Sequence, residues 1–361
     1  MTAQCHLPTP ARSAPHAAHH SQSTFLRTCT RHAGRWLATL SLAALAACGG
    51  GGGDGGTTNI GGGGGGGNQN GGGTPPASVS PRGIAVPGPW VVYYNTAAAA
   101  DLPRMASTFR LMVLDLDPGL GNFNLAQVAQ LKAGGNNRVL SYLNIGACEN
   151  FRSYWSTAPA GIISCNANTS AKRGAYSGFP NEVWMSPGNA DYQKLILEHV
   201  APRLVAAGAD GFYLDNMGII QHGATAANGP CDAVCQQGGL DLVRKLREKY
   251  PDLTIVMQNA LEDITLKGMT GGVRFATLLD GVAGEGVFAP TYSAYNDNRL
   301  GLWRDAGLKP GGQTFWVGTL DYVGNCTDRA AANSVIATTS ARGFSPYVSD
   351  STHGLQDICY W

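Results

Sequence analysis

The sequence predicts a single (β/α)8 barrel, preceded by a secretory leader and a glycine-rich tether. Three observations carry that prediction. Eight short apolar runs rich in β-branched and aromatic residues recur beyond residue 82, separated by helical patterns and turn signals. The stretch holding them is about 280 residues long, the size of one barrel. The competing architecture, a doubly wound open sheet, lacks its fingerprint, because no Gly-x-Gly-x-x-Gly turn follows the first run.

The runs are Trp90–Tyr94, Leu111–Asp115, Val139–Asn144, Gly211–Asp215, Thr254–Gln258, Asp280–Glu285, Thr314–Gly318 and Phe344–Ser349. Between them, Asn124 reads as the N-cap of a helix over Leu125–Lys132, with Gly134 as its stop. A second helix is expected over Asp191–Ala207, kinked at Pro202 and ended by Gly208. Leu240–Tyr250 alternates apolar and basic positions at helical spacing and stops at Pro251, and Thr327 is placed to cap a helix through Ala341.

Ahead of the barrel, residues 1–48 read as a signal segment. Arg27, Arg31 and Arg35 precede an apolar run of 12 residues, Trp36 to Ala47. That is too short for a bilayer, which needs about 20 residues. The run ends Leu45-Ala46-Ala47-Cys48, which resembles a bacterial lipobox in which the cysteine thiol is acylated. Residues 49–81 form the tether: 17 of the 25 residues from Gly49 to Gly73 are glycine, and nothing there offsets the entropy of ordering them. The chain is therefore expected to be exported, and either secreted or lipid-anchored to the cell envelope, with the outer membrane the expected site of anchoring. The membrane would be met only through that anchor. A formal net charge of +1, with 25 basic and 24 acidic residues, argues against nucleic acid as a partner.

In such a barrel the active site lies at the C-terminal ends of the strands. The expected strand ends bring Asp115 and Asp117, Asn144, Asp215 and Asn216, Gln258 and Asn259, Glu285, Asp321 and Asp350 toward one mouth. The domain has only three histidines, His199, His222 and His353, none at a strand end, so a metal centre is not expected. There is no Gly-x-Ser-x-Gly elbow and no Gly-x-x-x-x-Gly-Lys loop, so serine hydrolysis and nucleotide chemistry have no support and no cofactor is expected. Carboxylate chemistry is left. Breaking a glycosidic bond needs one carboxyl to protonate the leaving oxygen and a second to attack the anomeric carbon or activate water. Tyr142 and Tyr213 are the strand aromatics best placed to stack on a sugar ring. Asp215 also fits a helix N-cap, Glu285 a surface carboxylate, and Glu149 with Arg152 a simple ion pair three residues apart.

Four segments resemble one family in order. They are Ser141–Trp155, Gly208–Asn216, Met257-Gln258-Asn259 and Gly284–Phe288, and they resemble the endo-α-1,4-polygalactosaminidase barrels of glycoside hydrolase family 114. The resemblance covers nearly the whole domain, about residues 90–349, and implies a (β/α)8 fold that cleaves galactosamine-containing exopolysaccharide. It places the catalytic carboxylates at Asp215 (nucleophile or base) and Glu285 (acid), and puts Asp115, Glu149 and Arg152 near the substrate. Relatives often carry acids where this chain has Ala147 and Asn150, and another hydrophobic-acid pair where it has Met217-Gly218. A second reading therefore stands beside the first: a non-catalytic polysaccharide-binding or surface-assembly lipoprotein on the same scaffold.

The domain's six cysteines are an even number in a chain read as exported, which favours disulfides, with 15 connectivities open. Proximity in sequence favours Cys148–Cys165 and Cys231–Cys235, leaving Cys326–Cys359; a zinc site at Cys231 and Cys235 is the competing reading.

Overall fold

A computed structural model of the protein describes residues 82–84 and 88–361; the expected leader, Cys48 and the tether lie outside the described residues. Eight strands form one sheet in chain order: β1 (Trp90–Tyr93), β2 (Leu111–Leu114), β3 (Arg138–Asn144), β4 (Gly211–Asp215), β5 (Thr254–Gln258), β6 (Gly281–Glu285), β7 (Trp316–Val323) and β8 (Ser345–Asp350). Every ladder is parallel. Strands covered on both faces have no polar side to show, which is why they read in sequence as short apolar runs.

The sheet curls until β1 meets β8. Trp90 Nε1 donates to the Ser345 carbonyl across that seam at 2.9 Å. The C-terminal tail runs along it, with Tyr94 N donating to the Leu355 carbonyl at 2.8 Å. Inside, buried Trp90 packs edge-on against Trp316, ring centroids 5.0 Å apart, and against Tyr347 at 6.0 Å. Large aromatic rings thus plug the barrel, and chemistry is confined to its rims.

The three cysteine pairs expected from proximity, Cys148–Cys165, Cys231–Cys235 and Cys326–Cys359, are all disulfides. The last ties the tail to the loop after β7. Among the described residues no helix is long and apolar enough to cross a membrane.

Several boundaries differ from expectation. β7 runs five residues beyond Gly318, to Val323, so Asp321 lies within the strand. The helix expected from Leu240 starts at Ala233, capped by Asp232 accepting from Cys235 N. Gly238 lies inside this helix, where a Cβ would meet the Gly188 backbone, so close packing is what requires glycine. The break expected at Pro202 takes the form of a π-helical turn, Leu195–Val200, just before it. Asp328, not Thr327, caps the helix Arg329–Ala341. A three-stranded antiparallel sheet of Ala147–Glu149, Lys172–Ala175 and Glu182–Met185 is inserted between β3 and β4, and nothing in the sequence marked it.

At the opposite end from the mouth, Asp280 precedes β6 and acts as an anchor. It pairs with Arg247 at 2.6 Å and Arg82 at 2.9 Å, and accepts from Ile255 N at 2.8 Å. Removing one member of a buried ion cluster leaves the others uncompensated. Asp280→Asn is expected to lower the free energy of unfolding by about 3–5 kcal/mol, read from urea denaturation.

Candidate active site

Three neighbouring strands deliver the central groups. β4 ends at Asp215, β5 at Gln258 and β6 at Glu285. The residues after β4 and β5, Asn216 and Asn259, adopt left-handed backbone (φ 58° and 61°), a conformation asparagine tolerates better than most residues. Those turns aim both amides back at the acids. Asn216 N donates to Asp215 Oδ1 at 2.8 Å. Asn259 Nδ2 and Gln258 Nε2 donate to Glu285 Oε2 at 3.2 and 2.9 Å, and the Tyr322 hydroxyl donates to Oε1. Three donors thus fix the orientation of one carboxylate.

Burial pushes the Asp215 carboxyl up to about 6; the charges of Glu285 and Glu149 add to this, while the Asn216 amide and the Tyr142 hydroxyl oppose it. The two acids therefore sense each other's charge. Their fields also converge on the Tyr213 hydroxyl, a fully buried group with no hydrogen-bond partner among the described residues. Tyr142 faces the same space, and burial holds its hydroxyl protonated well above the usual tyrosine range. Asn144, in register with Asp215, accepts from Ala147 N at 2.8 Å.

Asp115, Glu149 and Arg152 form a separate buried group. Arg152 makes two bonds to Glu149, 2.8 and 3.1 Å, and reaches Asp115 at 2.8 Å and Asp117 at 3.6 Å. Burial alone would lower the guanidinium's pKa, but Glu149 and Asp115 override it and hold the charge firmly. Arg203 also reaches Asp117, at 3.1 Å. This cluster lies beside the mouth, with each of its carboxylates paired to a guanidinium. Two further acids expected in the mouth are occupied elsewhere. Asp321 accepts from the backbone amides of Phe288 and Ala289 at 2.6 and 3.1 Å, fixing the loop after β6. Asp350 accepts from Thr352 N at 2.8 Å in the turn after β8.

Sequence reasoning missed Glu182, because the inserted sheet that carries it left no periodic signal. Its Oε2 accepts from Asn216 Nδ2 at 3.1 Å. Burial, then the charges of Glu149 and Asp215, push it up to about 8, although the Asn216 and Asn144 amides favour its anion. Tyr176 and Trp184, from the same sheet, stack with centroids 3.9 Å apart. The charges of Asp215, Glu182 and Glu285 all reach the Tyr176 hydroxyl, so this aromatic wall borders the acids. No Lys or Arg nitrogen among the described residues comes within 4.0 Å of Asp215, Glu182 or Glu285.

A parallel barrel whose mouth holds acids without a Lys or Arg partner among the described residues, beside amides and aromatic rings, has the groups that glycoside cleavage needs. The family model of glycoside-hydrolase family GH114 matches residues 76–281, more than half of the chain. The protein belongs to that family and is a glycosidase. It is 27% identical over 260 residues to an uncharacterised protein of Deinococcus radiodurans, covering 68% of this chain and 74% of that one. The glycoside hydrolase domain of PelA from Pseudomonas aeruginosa superposes with a TM-score of 0.54 at 19% identity, over 75% of this chain and 97% of that domain. Ega3 of Aspergillus fumigatus, solved in complex with galactosamine, gives a TM-score of 0.54 at 16% identity, over 76% of this chain and 94% of that one. At these identities the structural likeness is one of fold.

The position of Glu182 has a consequence for stability. A carboxyl raised from 4.5 to about 8 binds its proton more tightly when folded, so its contribution is fully present below pH 4.5 and is lost as pH rises through about 8. Glu182→Gln, which cannot ionise, is expected to match the wild type in melting temperature near pH 4.5 and to exceed it increasingly toward pH 8.5. Parallel pH-melting curves that never diverge would contradict the environment assigned to this residue.

Proposed function

We propose that this glycosidase is exported and hydrolyses a galactosamine-containing polysaccharide, with Asp215 and Glu285 as the reacting pair. One observation carries the pairing: the two carboxyls end strands separated only by β5, and the charge of Glu285 reaches Asp215 with no Lys or Arg nitrogen within 4.0 Å of either among the described residues. Asp215 is read as nucleophile or base and Glu285 as the acid that protonates the leaving oxygen. Gln258, Asn259 and Tyr322 position Glu285, while Asn216 and Tyr142 do the same for Asp215. The substrate reading draws support from the PelA and Ega3 folds, the second of which was solved with galactosamine. A polymer of free amines is cationic, and a mouth of unmatched acids suits it.

Export draws support from the three disulfides and from the leader, and acylation of Cys48 from its lipobox-like setting. The non-catalytic reading rested on Ala147 and Asn150. Ala147 is buried in the inserted sheet, and Asn150 is an exposed turn residue whose N–H donates to Asn181. Neither position removes an acid from the central group.

Asp215→Asn and Glu285→Gln are each expected to lower kcat on galactosamine-rich exopolysaccharide by about 10²–10⁴-fold, measured by release of reducing ends. Undiminished turnover in both variants would remove the pair from the reaction. If Asp215 reacts as the anion, kcat/KM falls as pH drops through about 6, because protonation then silences it. A limb of the opposite sign at that pH would exchange the two roles.

A further inference from the structure

We propose that Glu182 binds the protonated amine of the substrate sugar and so sets a preference for free amines over N-acetylated ones. This rests on the reading of the substrate as a galactosamine polymer and adds to it a residue on the inserted sheet, outside the barrel strands. The geometry begins with what surrounds the carboxyl. Asn216, the residue that follows Asp215, holds its Oε2 at 3.1 Å, so Glu182 is fixed at the edge of the reacting pair. The charged groups facing it are Glu149 and Asp215, and the neutral ones are Asn144, Asn216 and the Tyr142 and Tyr176 hydroxyls. Glu149 is already matched by Arg152. Glu182 and Asp215 are matched by no Lys or Arg among the described residues.

A second observation points to a ligand at the same place. Asn144 is 1% exposed, yet its Nδ2 makes no well-aligned hydrogen bond among the described residues, although it lies close enough to Glu182 to favour its anion. A buried amide left open costs free energy unless an incoming oxygen accepts from it. A sugar with an ammonium against Glu182 and a neighbouring hydroxyl at Asn144 satisfies both. Its less polar face would then lie toward the Tyr176–Trp184 wall.

The proton balance follows from the environment. In the empty site near pH 7 Glu182 holds its proton, since burial and like charges push it up to about 8. An ammonium placed against it replaces that proton as the compensating charge. The carboxyl ionises, the amine keeps its own proton, and one proton leaves to the buffer. An N-acetylated sugar brings no charge and releases none.

The test uses the Glu285→Gln protein, in which turnover is suppressed, titrated calorimetrically with a galactosamine tetrasaccharide and with its N-acetylated form. Titrations at pH 7 in phosphate and in Tris buffer give the protons exchanged. The amine form is expected to release about one proton more than it does when Glu182→Gln is added. That addition is also expected to weaken binding of the amine form by about 10–100-fold and leave the N-acetylated form unchanged. In the otherwise wild-type enzyme the same substitution should raise KM on the amine polymer more than it lowers kcat. Equal weakening of both sugars, or an amine preference that survives Glu182→Gln, overturns the inference while leaving the substrate reading in place. Binding of neither sugar by the Glu285→Gln protein, together with no cleavage by the wild type, overturns the substrate reading and this inference with it. Release of about one proton more by the amine form than by the N-acetylated form is read in the Glu182-containing protein alone, so this outcome stands whether or not the Glu182 variant folds.

Discussion

One buried guanidinium divides the acids of the barrel mouth into two populations. Arg152 pairs with Glu149, Asp115 and, at longer range, Asp117, so those carboxylates are held in an ion-paired unit beside the cleft. Asp215, Glu182 and Glu285 receive neutral donors instead. In a partly desolvated site, unit charges a few ångströms apart interact by about 4 kcal/mol even at an effective dielectric constant of 20. With no Lys or Arg partner among the described residues, burial and like charge raise the proton affinity of Asp215 and Glu182, and the cleft is left short of positive charge. A pair of carboxyls that exchange protons with a sugar requires the first effect. Recognition of a cationic polymer benefits from the second.

Such an arrangement works only if the acids cannot drift apart, and the inserted sheet is where drift would be easiest. It is tied down from several sides. Cys148–Cys165 closes the loop between two of its strands, the Tyr192 hydroxyl donates to the Ala147 carbonyl at 3.1 Å, and Met185 N donates to the Gly146 carbonyl at 2.8 Å. Gly146 lets β3's end approach the β4 turn: a Cβ there would collide with the Asn216 carbonyl oxygen. The same Asn216 then reaches Glu182 through its side chain. One residue in a left-handed turn thus locks the sheet to the strand that bears Asp215.

Much of the barrel was legible because parallel strands buried on both faces leave a strong compositional trace. Seven of the eight expected runs lie within a residue of the observed strands at each end, the run at Thr314–Gly318 being the exception. β7 was read short because Leu320, Asp321 and Tyr322 mix polar and apolar residues, and its true length reflects pairing with β8 through Val323 and Asp350. Asp215 and Glu285 stood out because strand ends in this architecture open onto the mouth. Arg152's partners among Asp115, Asp117 and Glu149 were half legible: the three-residue spacing to Glu149 announced one pair, and the long-range contacts to Asp115 and Asp117 had no local signature. Glu182 was invisible for a related reason. Its strand is four residues long and pairs only with strands of three and four residues, so neither periodicity nor capping chemistry distinguished it from a loop.

β6 shows why residue type alone could not have separated an anchor from an acid of the mouth. The acid before it, Asp280, and the acid that ends it, Glu285, are five positions apart at opposite rims of one barrel. Asp280 meets Arg247 and Arg82 and becomes an inert anchor. Glu285 meets a tyrosine, a glutamine and an asparagine, which orient a carboxylate without neutralising it. The chemistry of each follows from what the opposing elements supply, and the two arginines come from 33 and 198 residues away in the chain for Asp280, and the three donors from 26 to 37 residues away for Glu285.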